Sequence, residues 1–115
     1  MPASLPPVSI FGRRLRAARR IAGLSQVELG AMLGMNEKSA SSRLSRYERG
    51  EREPDHETLA ALSEALGVPP AYFHATSDVL AELILLVAKL PLDQQNGILG
   101  LVRHHLAEQG APSKG

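Results

Sequence analysis

Cysteine and tryptophan are absent from this 115-residue chain, and its aromatic side chains amount to two phenylalanines and two tyrosines. Without cysteine there are no disulfides and no thiolate metal sites, which suits a reducing compartment. So few aromatics argue against a binder of single-stranded nucleic acid, which stacks bases on aromatic platforms. Long hydrophobic runs are missing too. The longest, Leu83 to Ala88, is far shorter than the roughly 20 residues that cross a bilayer. The Met1 to Ser9 stretch is proline-rich rather than apolar and does not read as a signal peptide. Catalytic signatures are equally scarce: there is no nucleophile elbow, phosphate-binding glycine loop or HExxH pair. His104 and His105 are adjacent, so on a helix they point about 100° apart and cannot jointly hold one metal ion. These absences predict a soluble, cytoplasmic protein with no catalytic residues, no metal site, no cofactor and no membrane partner.

What is present is unevenly charged. Residues 10–50 hold nine Arg or Lys against three Glu, net +6, whereas residues 51–115 hold four basic and nine acidic side chains, net −5. A basic half attracts a polyanion because neutralising phosphates releases counterions. On charge alone a solvated basic helix face fits as well.

The pattern that separates the two readings runs from Leu24 to Gly50, LSQVELGAMLGMNEKSASSRLSRYERG. Ser25 followed by Glu28 forms a capping box that starts a helix. Gly30 within that helix costs roughly 1 kcal/mol relative to alanine, which suggests close approach by a neighbour. Gly34 fits the left-handed position just past a helix end, Met35 plugs the core beneath the turn, and a second helix runs to Gly50. These residues resemble the XRE-like helix-turn-helix DNA-binding domains of phage Cro and repressor type. Gly23-Leu24-Ser25-Gln26, Leu29-Gly30, Gly34-Met35, Ser45-Arg46-Tyr47-Glu48-Arg49-Gly50, Pro54 and the segment Leu59 to Val68 carry the resemblance over about 65 residues. One departure stands out: about four more residues separate the turn from Arg46 than in the commonest members. Four residues make about one helical turn, so either the loop is longer or the recognition helix begins a turn earlier.

The rest of the chain reads as further helices. The first spans Phe11 to Ala22, capped by Ser9, with Phe11, Leu15, Ala18 and Ala22 as its core stripe and Arg13, Arg14, Arg16 and Arg20 off it. Asp55 caps a helix through Leu66 that Gly67 ends. Pro69 and Pro70 open a short fifth helix, with Tyr72 and Phe73 in the core. Ser77 or Asp78 caps a sixth reaching about Lys89, and Pro91 opens a seventh. Gly97 and Gly100 in the seventh either permit close packing on another helix or weaken its first half. The expectation is an all-α chain: a flexible arm over residues 1–9, a five-helix lambda repressor-like helix-turn-helix domain over 10–75, a C-terminal two-helix hairpin over 77–109 that dimerises, and a disordered tail over 110–115.

The resemblance implies a sequence-specific regulator of transcription, a repressor that binds a palindromic operator in double-stranded DNA as a homodimer. Lys38, Ser39, Ser41, Ser42, Arg43 and Arg46 come within reach of the major groove, Arg43 being favoured for a base edge and Ser42 as its polar companion. Gln26 matches the family's phosphate-binding glutamine. Arg19 and Glu48 match a structural ion pair that holds the first helix on the third. Leu83, Leu86, Val87 and Leu90, at i, i+3, i+4 and i+7, form an apolar stripe for a dimer interface, joined by Gly97 and Gly100. The alternative is a protein-interaction module or antitoxin that keeps the fold but serves another protein.

Overall fold

A computed structural model describes residues 9–110, all in helices and their connections, with no strand among the described residues. The expected arm and tail lie outside them, except for Ser9 and Gly110. No helix among the described residues is long and apolar enough to cross a membrane.

Helix α1 (Ile10–Ile21) starts where the Ser9 hydroxyl accepts from the Gly12 amide at 2.9 Å. It buries Phe11, Leu15 and Ala18, whereas Ala22, past the last turn, is exposed. Arg14 departs from expectation: it is buried. Its Nε and Nη2 donate to the Ala75 carbonyl at 3.2 and 3.0 Å, and its Nη1 donates to Asp78 at 2.7 Å. The α1 sequence cannot show this, because the acceptors arrive from a segment some sixty residues away.

Helix α2 (Gln26–Met32) opens with the reciprocal Ser25–Glu28 capping box and is followed by Gly34 at φ +81°. A Cβ on Gly30 would overlap the Ala40 side chain, so glycine there lets α2 touch the next helix. That helix, α3 (Glu37–Glu48, 12 residues), settles the four extra residues: it begins a turn early, with the Asn36 side chain accepting from the amides of Lys38 at 2.9 Å and Ser39 at 3.3 Å. Helix α4 (His56–Leu66) is capped by Asp55, which accepts from the Thr58 amide at 2.8 Å, and ends at Gly67.

The fifth element, Pro70–His74, is a 3₁₀ helix rather than an α-helix. Neither Pro69 nor Pro70 offers an N–H, and a connector this short is the setting in which 3₁₀ turns are used. It delivers Tyr72 and Phe73 to the core, the Phe73 ring centroid lying 5.3 Å from that of Phe11. Helix α5 (Asp78–Ala88) takes its cap from Ser77, whose hydroxyl accepts from Leu80 at 3.0 Å; the Asp78 side chain goes to Arg14 instead.

The chain divides into two compact units, one through Leu85 and one from Leu86. The core of the first joins Leu15, Leu29, Leu44, Tyr47, Leu62 and Phe73 with Phe11, Ala18, Tyr72, Ala75 and Ala81. In the second, Gln95 of α6 (Leu92–Glu108) donates through Nε2 to the carbonyls of Val87 and Leu90 at 3.1 and 3.0 Å, tying off the preceding helix end. No residue of α6 is buried. A Cβ on Gly97 or Gly100 would meet nothing within 4 Å among the described residues.

Candidate nucleic-acid interface

The sequence of α3 makes it two-faced. Ala40, Leu44, Tyr47 and Glu48, at i, i+4, i+7 and i+8, are buried. Lys38, Ser42, Ser45 and Arg49, at i, i+4, i+7 and i+11, line the opposite side, with Arg46 beside them, and all but the half-buried Ser45 are exposed. Three serines in this outer surface, Ser41, Ser42 and Ser45, are short enough for the helix backbone to approach a groove closely, while Lys38, Arg46 and Arg49 supply charge and reach.

Beneath this face lies a buried carboxylate. Glu48 has no exposed surface. Arg19 forks onto it, Nε at 2.5 Å from Oε2 and Nη2 at 3.1 Å from Oε1, and also donates to the Leu24 carbonyl at 2.9 Å. Gln26 Nε2 donates to the same Oε1 at 3.2 Å, and Arg16 Nε lies 3.4 Å from it. Burial pushes the Glu48 carboxyl up, but the hydrogen bonds of Arg19 and Gln26, the Arg19 charge and the Arg16 bond outweigh that and hold it below the ordinary carboxylate value.

The network reaches the surface through Gln26. Its Oε1 accepts from the Ser41 hydroxyl at 3.1 Å, so the first residue of α2 is tied to the outer flank of α3 and, through Glu48, to α1. The N-terminus of α2 and the row of α3 thus belong to one surface. Gln26 stands at the α2 N-terminus with its side-chain amide held between Glu48 and Ser41.

Arg43 sits on the other flank. Its Nη2 lies 3.4 Å from the Tyr47 hydroxyl, and with Leu33, Gly34, Met35, Glu57, Thr58 and Ala61 it lines an open hollow of about 260 Å³ toward α4. Ser39, half-buried, donates through its hydroxyl to the Asn36 carbonyl at 3.2 Å, within the cap of α3. The structure therefore brings Gln26, Lys38, Ser41, Ser42 and Arg46 onto one face, with Arg43 at its edge and Ser39 in the cap. Sequence reasoning missed the Gln26 bonds to Glu48 and Ser41. Polar residues fifteen and more positions apart leave no periodic signal that they meet.

A model of the family described as helix-turn-helix matches residues 15–73, just over half of the chain. The chain belongs to the XRE-type helix-turn-helix family. Among its relatives, repressor protein C2 of Salmonella phage P22 is 40% identical over 63 residues, covering 55% of this chain and 27% of that protein. The transcriptional regulator ImmR of Bacillus subtilis (strain 168) is 37% identical over 69 residues, 60% of this chain and 51% of its own. The chain thus spans from about a quarter to half of the length of these two. Among solved structures, the transcriptional regulator BswR superposes with a TM-score of 0.78 at 43% identity, covering 85% of this chain and 97% of that one. The P22 c2 repressor in complex with synthetic operator 9T gives 0.51 at 38% identity, covering 56% and 92%.

Proposed function

We propose that this helix-turn-helix protein is a sequence-specific, double-stranded-DNA-binding regulator of transcription, a repressor acting as a homodimer on a palindromic operator. The observation that carries the reading is the single surface made by the α2 N-terminus and the outer row of α3, polar and cationic, with Gln26 as its anchor. The P22 c2 repressor, solved in complex with a synthetic operator, supports the DNA-binding part of the reading. Arg46 and Lys38 take the base edges, with Ser41 and Ser42 beside them. Arg43, favoured from the sequence for a base edge, turns its guanidinium toward α4, which favours for it a role at the groove wall.

The homodimer reading rests on residues 77–109. Of the expected stripe, Leu83 is 50% exposed and Leu86 52%, whereas Val87 and Leu90 are half-buried; α6 adds Leu92 at 73% and Leu101 at 67%. Leaving such apolar area in water forgoes about 25 cal/mol per Å². A second copy offers a matching surface in an isologous contact, and a dimer places two recognition helices about 34 Å apart on one side of a duplex. Selection of bound sites from a random duplex pool, followed by mobility-shift titration, tests the reading. A palindromic consensus bound with steep salt dependence is expected. A chain that selects no site and retards no duplex would instead be a protein-interaction module on this fold.

A further inference from the structure

The side of α1 turned away from the core carries Arg13, Arg16 and Arg20, at i, i+3 and i+7; of these only Arg16 enters the Glu48 network, and Arg13 and Arg20 take no part in the interface described above. With Arg14, Ala17 and Asp78 these arginines line an open hollow of about 380 Å³. Its one carboxylate is already engaged, since Asp78 lies 2.7 Å from Arg14 and 3.7 Å from Arg13. Arg20 has no carboxylate within ion-pairing distance among the described residues. Arg16 likewise shares Glu48 with the closer Arg19, so the row is a cationic surface in which Arg13 and Arg16 each share a carboxylate with a nearer arginine and Arg20 has none.

It is also continuous with the anchor of the candidate interface. Arg16 and Gln26 meet on the same oxygen of Glu48, at 3.4 and 3.2 Å, so an anion held by Gln26 lies beside the middle of the row. Resting on the DNA-binding reading, we propose that Arg13, Arg16 and Arg20 bind backbone phosphates of the duplex flanking the half-site that α3 reads, lengthening the footprint beyond the groove. The seven-residue span from Arg13 to Arg20 measures about 10 Å at 1.5 Å per residue. Over that length one strand presents about three phosphates at 3.4 Å axial spacing. Guanidinium is suited to the task, because its fork of donors matches phosphate oxygens and its charge does not titrate.

The test uses the full chain and its selected site in two duplexes, one trimmed to the site and one carrying about a helical turn of flank on each side. The double variant Arg13→Gln/Arg20→Gln keeps Arg16, which touches Glu48. The wild type is expected to bind the flanked duplex more tightly and with a salt slope steeper by about 0.9 per phosphate contacted. The double variant should lose that extra slope and affinity while binding the trimmed duplex like wild type. Equal wild-type slopes on both duplexes, or a variant that keeps the difference, overturns the proposal. So does calorimetric binding of tripolyphosphate to wild type but not to the variant with no flank effect, which would assign the row to a small anion. Failure to select any site sinks the DNA-binding reading and this proposal with it, a different result from a chain that selects its site and ignores the flanks.

Discussion

Glu48 is the residue on which most depends, since one carboxylate holds α1, α2 and α3 through Arg19, Arg16 and Gln26. Removing one member of a buried pair leaves the other charge unpaired, at a cost of about 3–5 kcal/mol. In a domain of this size each kcal/mol shifts the melting temperature by about 4–8 °C, so Glu48→Ala should lower Tm by more than about 10 °C; a variant that melts with wild type would show the pair to be dispensable. The same carboxyl sets a pH dependence. Its folded-state pKa lies below its ordinary value of 4.5, so its stabilisation is present above that value and disappears as pH falls through the lower folded one. Thermal melts taken downward from about pH 5 should lose Tm more steeply in wild type than in Glu48→Gln, which cannot titrate; parallel curves would remove Glu48 as the cause. Gln26→Ala separates clamp from reader. It should weaken binding to every duplex without changing the selected site, whereas Arg46→Ala should relax one position by about 1–3 kcal/mol of discrimination.

At the scale of elements, the glycines of α2 and α6 should answer oppositely to the same substitution. Gly30→Ala gains helix propensity of about 1 kcal/mol, yet its new methyl overlaps Ala40 and forces α2 and α3 apart. Net destabilisation is expected, and a rise in Tm would mean that the two helices do not meet as described. In α6 the methyl of Gly97→Ala and Gly100→Ala enters open space, so helicity measured by circular dichroism should rise. Should the dimer close on that face, the same double substitution shifts the sedimentation equilibrium toward monomer. Unchanged association with raised helicity would remove both glycines from the interface. The extra turn of α3 is legible in part: the sequence shows four additional residues, but only the Asn36 cap and the Gly30–Ala40 contact place them inside the helix.

For the whole molecule, the division of charge and of burial falls along the chain in the same order. The basic stretch builds α1 to α3 around a buried core, while α6 buries nothing of its own. A helix of 17 residues with no buried side chain draws little stability from packing, which supplies most helical stability in proteins. Association through residues 77–109 accordingly predicts a dimer by analytical ultracentrifugation at micromolar concentration, and a monomer after truncation at Thr76. A full-length monomer, or a truncated dimer, would refute that assembly.

The sequence by itself determined most helix ends, the start of α3 excepted, because caps, prolines and glycines act over three or four residues: Ser9, Ser25, Asp55 and Gly67 each stand where a helix starts or stops. It also determined the family, through linked motifs from Gly23 to Val68 that a local reading can compare. Tertiary structure alone decided that Arg14 is buried against Ala75 and Asp78, that Gln26 joins Ser41 to Glu48, and that Arg43 turns toward α4. The physical reason for the first two is that a long polar side chain takes its position from whichever partner the fold brings within about 3 Å, and these partners come from distant segments whose meeting is written in no local period; Arg43 bonds within its own helix, to Tyr47, and only the hollow it lines comes from α4.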